Sequence, residues 1–138
     1  MRILVLSDTH GDFNRMMKAV TEQPTAEVII HCGDGEEQVE YLKQNFKDKM
    51  VVGVRGNCDW GSMLPATETL RINGKTIFIT HGHLYNAKVG LTQLCAPHER
   101  QKLIFSASVI LTLRFLCTRT DFMFLTRAAA ADIWQATE

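Results

Sequence analysis

The sequence lacks an excess of charge of either sign and an apolar run long enough to cross a membrane. Among its 138 residues, Lys plus Arg number 15 and Asp plus Glu number 15, so the formal net charge is zero. This balance argues against nucleic acid and anionic membranes as partners, since both attract basic proteins. The most apolar stretch, residues 103–117, contains Arg114 and is shorter than the roughly 20 residues of a spanning helix.

Paired cysteines and a secretory signal are also lacking. The four cysteines show no C-x-x-C pair and no zinc-finger spacing; they are Cys32, Cys58, Cys95 and Cys117. The apolar run at the N-terminus stops at Asp8 without a cleavage pattern. These features predict a cytoplasmic protein with reduced thiols.

What the first part of the sequence does contain is an alternation of strand and helix patterns. Strands are predicted at residues 2–6, 27–31 and 50–54, and helices at residues 12–20 and 36–46. This order predicts an α/β fold with parallel strands and right-handed crossovers. A hairpin follows, with strands at residues 69–72 and 75–80 around Asn73-Gly74, the dipeptide of a type I′ turn. A further helix is predicted from about Asn86.

Polar residues collect directly after these strands. The segments concerned are residues 8–12, 31–35, 55–59 and 80–83, and they contain Asp, His and Asn side chains with neighbouring glycines. In an open α/β sheet the carboxyl ends of the strands line one crevice, where ligands bind. Carboxylate, amide and imidazole groups suit Mn²⁺, Fe and Zn²⁺. Two such ions about 3.5–4 Å apart can bind a hydroxide between them and promote displacement at phosphorus.

Each motif alone has an ordinary structural explanation. Asp8 could cap a helix, and Gly33-Asp34 and Gly56-Asn57 could each form only a turn. Their occurrence at four successive strand ends favours the metal site.

Some of the histidines in these segments also have ordinary structural explanations. His81 and His83 alternate in direction along an extended chain, so at most one is expected to face the metals. His31 lies within a strand, which favours a structural role.

The four motifs together resemble those of the calcineurin-like metallophosphoesterases, specifically their small bacterial and archaeal phosphodiesterase branch. The matching motifs are SDTHGD (7–12), HCGD (31–34), VRGNCD (54–59) and THGH (80–83), and the resemblance covers residues 1–94. The resemblance implies an αββα sandwich of two mixed sheets with helices outside. It also implies hydrolysis of a small-molecule phosphoester by two divalent metal ions. Mn²⁺ is the first expectation, with Fe, Zn or Ni as alternatives.

The resemblance further implies which side chains bind the metals. Asp8 and His10 are expected on one ion, Asn57 and His81 on the other, and Asp34 between them. Of these, Asp34, Asn57 and His81 are also the expected catalytic residues. Many larger relatives have a histidine after the Asn ligand that helps protonate the leaving group. Here that residue is Cys58, to which we assign no catalytic role.

One family motif, Gly-His-Thr-His, is absent, and residues 95–138 look atypical. We interpret this tail as translated out of frame, with the slip at about residues 91–95. If the third bases of codons 108–111 are G, C, A and C, the shifted frame reads Gly-His-Thr-His, and residues 125–129 then permit Asn-Pro-Gly-Ser. Residues 128–131 and Trp134 fit a helix in the frame as written. We expect the written tail to pack poorly, to deprive the second sheet of its last strands and to weaken metal binding.

Two other functions remain open. The chain could be a non-catalytic scaffold for protein contacts, as a retromer subunit related to this family is, although a scaffold needs no metal-binding side chains. Nucleotide binding by a Rossmann-like domain is disfavoured because no G-x-G-x-x-G follows the first strand. Arg55 and His83 are candidates for phosphate contacts, and Arg55 could equally be an exposed salt-bridge partner. A homo-oligomer is possible.

Overall fold

A computed structural model describes residues 1–86, 102–106 and 132–135, the last two stretches as backbone only. The described residues form seven β-strands, two α-helices and a 3₁₀ turn. In chain order these are β1 (Arg2–Leu6), α1 (Phe13–Glu22), β2 (Val28–His31), α2 (Glu36–Asn45), β3 (Met50–Gly53), β4 (Thr67–Ile72), β5 (Lys75–Thr80), the 3₁₀ turn (His83–Tyr85), β6 (Lys102–Ser106) and β7 (Asp132–Gln135). The helix predicted after Asn86 and the position of the missing motif lie outside the described residues.

The first sheet has the strand order β3-β2-β1-β7. β1 pairs with β2, and β2 with β3, in parallel, as the alternation of elements predicted. β1 (RILVL) and β2 (VIIH) are rich in branched apolar residues, and all four residues of β2 are buried. Such continuous apolar strands are typical of parallel sheets covered on both faces.

Helices α1 and α2 cover one face of this sheet. Asp12 caps α1 by accepting a hydrogen bond from the backbone N–H of Arg15 at 2.9 Å. Met16 and Val20 of α1 are buried one turn apart and pack with Leu42 of α2 in one apolar cluster. Neither helix exceeds ten residues, and within the described part of the chain no helix is long and apolar enough to cross a membrane.

The second sheet has the strand order β4-β5-β6. β4 and β5 form the predicted antiparallel hairpin, and both turn residues have positive φ, 48° at Asn73 and 73° at Gly74, as a type I′ turn requires. Ile77 and Ile79 of β5 pack against Ile3 and Ile30 of the first sheet. The two sheets therefore face each other across this core, with α1 and α2 outside, which agrees with the mixed α/β sandwich expected.

The tail contributes one strand to each sheet, which corrects two expectations. β6 pairs in parallel with β5, and β7 pairs antiparallel with β1, so the second sheet does not lose β6. Trp134 lies in β7 rather than in a helix. An open sheet edge offers main-chain hydrogen bonds that segments of many different sequences can pair with. The largely apolar segment KLIFS of β6 also suits a strand. That residues 95–138 are out of frame stays a prediction.

Candidate metal centre

The carboxyl ends of β1, β2, β3 and β5 bring the four polar segments together. Main-chain hydrogen bonds join the first two segments: the N–H of Asp8 donates to the carbonyl of Gly33, and the N–H of His10 donates to the carbonyl of Asp34, both at 2.9 Å. The five side chains predicted as ligands lie close together, with contacts of 2.9–4.0 Å between neighbouring members. Whether they bind metal remains a prediction.

Potential donor atoms form two clusters that share Asp34. The first, which we call the closed cluster, contains Asp8, Asp34 and His81, and the second, the open cluster, contains His10, Asp34 and Cys58. Within each cluster the donor atoms lie within 4.8 Å of one another. His10 Nε2 also lies 4.0 Å from Asp8 Oδ1, and the implied assignment of Asp8 and His10 to one ion stays a prediction.

His81 is the most constrained of these side chains. It is 1% exposed, and its Nδ1 donates a hydrogen bond to the carbonyl of Cys32 at 2.9 Å. Its Nε2 faces Asn57 Oδ1, at 2.9 Å, and Asp34 Oδ2, at 3.7 Å. When Nε2 carries no hydrogen, these three atoms all present lone pairs to one point, which is what a cation needs. A second ring nitrogen bonded to a carbonyl is also the usual arrangement of a metal-binding histidine.

The carboxylates of the closed cluster support the same fit. The side chains of Asp8 and Asp34 are only 6% and 3% exposed. Burial raises the pKa of Asp8 above its ordinary value, although a hydrogen bond from Ser7 opposes the rise. Two buried carboxylates with oxygen atoms this close repel each other, and a divalent cation would offset that repulsion.

The open cluster has a different character. The side chain of His10 is 51% exposed, and its Nε2 lies 4.0 Å from Asp8 Oδ1 and 3.8 Å from Asp34 Oδ2. Cys58 is exposed as well. The hydrogen bond between its thiol and Asp34 raises the pKa of that thiol. Because both side chains are exposed, the open cluster has room to adjust to a ligand.

Three of the predicted ligands have left-handed backbone conformations. The φ angles are 55° at Asp8, 43° at His10 and 60° at Asp34. Such conformations cost about 1–3 kcal/mol each for residues other than glycine and are common at functional sites. The strain is offset here by the hydrogen bonds between the loops.

Gly56 leaves space for the central carboxylate. A Cβ atom at this position would overlap Asp34 Oδ1 and lie 2.5 Å from the backbone nitrogen of Asp34. Only glycine allows the loop after β3 to approach the loop after β2 this closely.

Asp59 connects the same two loops and was assigned no role from the sequence. Its Oδ2 accepts hydrogen bonds from the N–H groups of Asp34, at 2.8 Å, and Gly56, at 2.7 Å. Its Oδ1 accepts a longer one from Glu36, at 3.3 Å. Asp59 therefore positions the backbone of Asp34. The only signal in the sequence is that it belongs to the same motif as Asn57.

His31 is buried beside the site and has the structural role expected. Its Nδ1 accepts a hydrogen bond from the N–H of Gly33 at 3.3 Å, so Nε2 carries the hydrogen and donates to Thr9 Oγ1 at 2.9 Å. Burial lowers the pKa of His31 to about 4. The neutral ring thus connects the loop of Asp8 and His10 with the loop of Asp34.

The two candidates for phosphate contacts lie farther out. His83 begins the 3₁₀ turn, with its ring centroid 5.4 Å from that of His81. Arg55 is exposed, and its backbone N–H donates to the carbonyl of Pro65 at 2.9 Å. As expected, His81 rather than His83 reaches the clustered carboxylates.

Comparisons with known proteins show the family. Residues 1–106 match the family model described as the calcineurin-like phosphoesterase superfamily domain. The chain is 33% identical over 90 residues to the probable metallophosphoesterase YsnB of Bacillus subtilis (strain 168), a match that covers 64% of this chain and 50% of the relative. The chain therefore spans about half the length of this curated relative.

Solved structures with lower identity share the fold. One is a conserved uncharacterized protein, a predicted phosphoesterase, of Streptococcus pneumoniae TIGR4 (TM-score 0.60, 23% identity, 75% of this chain and 59% of that one). A second is a novel archaeal phosphodiesterase, with a TM-score of 0.52 and 19% identity, covering 80% of this chain and 86% of that one. A third is Vps29 of Chaetomium thermophilum, with a TM-score of 0.58 and 12% identity, covering 99% of this chain and 85% of that one. At these identities the likeness concerns the fold alone.

Proposed function

We propose, from the premise that this chain belongs to the calcineurin-like phosphoesterase superfamily, that it provides most of the metal site of a metal-dependent phosphodiesterase. The proposal depends above all on the convergence of His81 Nε2, Asn57 Oδ1 and Asp34 Oδ2. Family membership makes a phosphoesterase the first function to test.

The residues present fit two divalent cations. Asp8, His10, Asp34, Asn57 and His81 would bind them, with Asp34 shared. Oxygen and imidazole donors without a complete thiolate set favour Mn²⁺, with Fe, Zn or Ni as alternatives. When bound, such ions lower the pKa of water and offset the negative charge of a phosphate group.

The protein's own contribution is to position these groups and to leave one side accessible. The hydrogen bond from His81 to the carbonyl of Cys32 orients the imidazole, and Asp59 orients the backbone of Asp34. Asn57 and His10 are exposed, so a substrate can reach the clustered side chains from their side. The substrate we propose is a small phosphodiester, because a net charge of zero gives no attraction to a nucleic-acid chain.

The sheet register supports the reading-frame hypothesis as part of this proposal. Ser106 of β6 pairs with Thr80 of β5, the residue before His81. A Gly-His-Thr-His motif in the shifted frame would follow β6 directly, at codons 108–112, near the edge where His81 lies. The frame-restored tail would therefore be well placed to supply the two missing imidazoles.

The test compares the chain as written with a frame-restored chain in hydrolysis of a chromogenic phosphodiester with added Mn²⁺. We expect substantial activity from the restored chain and little from the written one, because each metal position then regains an imidazole. Asp34→Asn in the restored chain is the matched control and should lower kcat/KM by on the order of 100-fold or more, since even outer partners of a metal site contribute 10–100-fold.

Two results would contradict the proposal. A restored chain that binds Mn²⁺ but hydrolyses neither phosphodiesters nor phosphomonoesters removes the enzymatic function. Third bases other than G, C, A and C in codons 108–111 of the gene remove the reading-frame hypothesis.

A further inference from the structure

The open cluster contains a thiol beside an imidazole and a carboxylate. A ring nitrogen of His10, a carboxylate oxygen of Asp34 and the Sγ of Cys58 lie within 4.8 Å of one another. Three protein donors that face an accessible side are the set that a four-coordinate cation needs when one position stays open.

The position of the sulfur is determined by its neighbours. The backbone N–H of Cys58 donates to Asp34 Oδ1 at 2.8 Å, which fixes the main chain next to the carboxylate. The side-chain amide of Asn57 lies 3.1 Å from Sγ. Sγ therefore already lies on the side of Cys58 that faces the cluster.

We propose that Cys58 is a metal ligand of the open cluster, and that this position prefers a thiophilic cation such as Zn²⁺ or Co²⁺ over Mn²⁺. The inference rests on the proposed function and assigns to one of its two metal positions a sulfur ligand and a metal preference. Sulfur donors favour Zn²⁺ and Co²⁺, whereas Mn²⁺ favours oxygen donors.

Binding is a ligand exchange without change of oxidation state. The cation displaces the proton of the Cys58 thiol, and that proton passes to the solvent as the sulfur–metal bond forms. The closed cluster has no sulfur and keeps its preference for harder ions. The two positions would then differ in metal preference although they share Asp34.

The first experiment is a titration of the metal-free 138-residue chain with Co²⁺, followed by absorption spectroscopy. We expect a thiolate-to-cobalt charge-transfer band in the near ultraviolet that disappears in Cys58→Ser. The matched controls are Cys95→Ser and Cys117→Ser, which should keep the band. A band that persists in Cys58→Ser, or cobalt binding without such a band, overturns the inference.

The second experiment compares affinities for two metals by calorimetry. Cys58→Ser should weaken Zn²⁺ binding at least about tenfold and change Mn²⁺ binding little. An equal loss for both metals would indicate a general disturbance of the site and would contradict the assignment. Cys58 is exposed, so the substitution should leave the fold intact.

A third measurement needs no substitution and separates the two proposals. Bound Zn²⁺ should protect Cys58 of the wild-type chain from alkylation by iodoacetamide, as mapped by mass spectrometry. Cys58 that remains reactive while Zn²⁺ is bound overturns the sulfur ligand and leaves the proposed phosphodiesterase standing. If neither the written nor the frame-restored chain binds Zn²⁺, Co²⁺ or Mn²⁺, both the sulfur ligand and the proposed phosphodiesterase are overturned.

Discussion

The two clusters of the site differ in how firmly the protein positions them. In the closed cluster the side chains of Asp8, Asp34 and His81 are 6%, 3% and 1% exposed, and a hydrogen bond to the carbonyl of Cys32 fixes the orientation of His81. In the open cluster only Asp34 is buried, while His10 and Cys58 are exposed. The closed cluster is thus preorganised for a cation, whereas the open one can adapt. Substitutions should therefore have larger effects when they disturb the closed cluster.

The largest effect is expected from Gly56→Ala. The added methyl group would overlap the carboxylate of Asp34 and crowd its backbone nitrogen, so the two loops must separate. We expect a loss of about 3 kcal/mol in the free energy of unfolding, measured by urea denaturation, and loss of Mn²⁺ binding.

Gly61→Ala is the matched control for Gly56→Ala. Gly61 has a φ of 75° but no atom within 4 Å of an added Cβ, so only backbone strain of about 1 kcal/mol is expected. Equal losses in the two variants would show that the close approach at Gly56 does not position Asp34.

The comparison between His81→Ala and His10→Ala tests the difference between the clusters directly. We expect Mn²⁺ affinity to fall on the order of 100-fold for His81 and about tenfold for His10, because a preorganised ligand contributes more than a mobile one. Calorimetric titration measures both affinities, and circular dichroism confirms that each variant is folded. A larger loss at His10 would reverse the assignment of the closed cluster as the main binding position.

Much of the framework of these clusters could be predicted from the sequence. The bounds of β1 and β5 were predicted as observed, because branched apolar runs and the Asn73-Gly74 turn are strong local signals. The parallel order of β1, β2 and β3 then placed the polar segments at one edge.

The division into closed and open clusters could not be predicted. The hydrogen bond from Asp34 to Asp59 joins residues 25 positions apart, and the left-handed conformations of Asp8 and His10 depend on such contacts between loops. The association of His10 with Cys58 likewise depends on where two separate loops meet. The strand at Trp134 was missed because its pairing partner, β1, lies at the other end of the sequence.

Asp59→Asn should disturb the closed cluster without removing a predicted ligand. In the aspartate, one oxygen accepts from both Asp34 and Gly56 and the other accepts from Glu36. An amide replaces one acceptor with a donor that faces these N–H groups. We expect a loss of about 1–3 kcal/mol in the free energy of unfolding and faster hydrogen exchange at the Asp34 and Gly56 amides.

Asp48→Asn, at an exposed aspartate, is the control for Asp59→Asn, since it removes the same charge away from the site. Similar losses in both variants would mean that net charge, rather than the connection between the loops, determines the effect.

The smallest effect is expected from acid acting on His31, which connects the loops of the two clusters. Its folded pKa of about 4 lies below the ordinary value of 6.5, because burial disfavours the charged ring more than Asp59 and Asp34 favour it. The unfolded chain therefore takes up the proton first, and the stability contributed by neutral His31 is present above pH 6.5 and lost as the pH falls toward 4. Between pH 7 and pH 5.5 the loss should be about 1 kcal/mol.

His31→Gln removes this titration, so the measurement is the free energy of urea unfolding of both chains across that pH range. Other groups titrate alike in both chains and cancel in the difference between them. The advantage of the wild type over His31→Gln should shrink as the pH falls. A difference that does not change with pH would mean that folded His31 accepts a proton as readily as the unfolded chain does. In that case Gly33 could no longer donate to Nδ1, and the connection between Thr9 and Gly33 would not depend on a neutral ring.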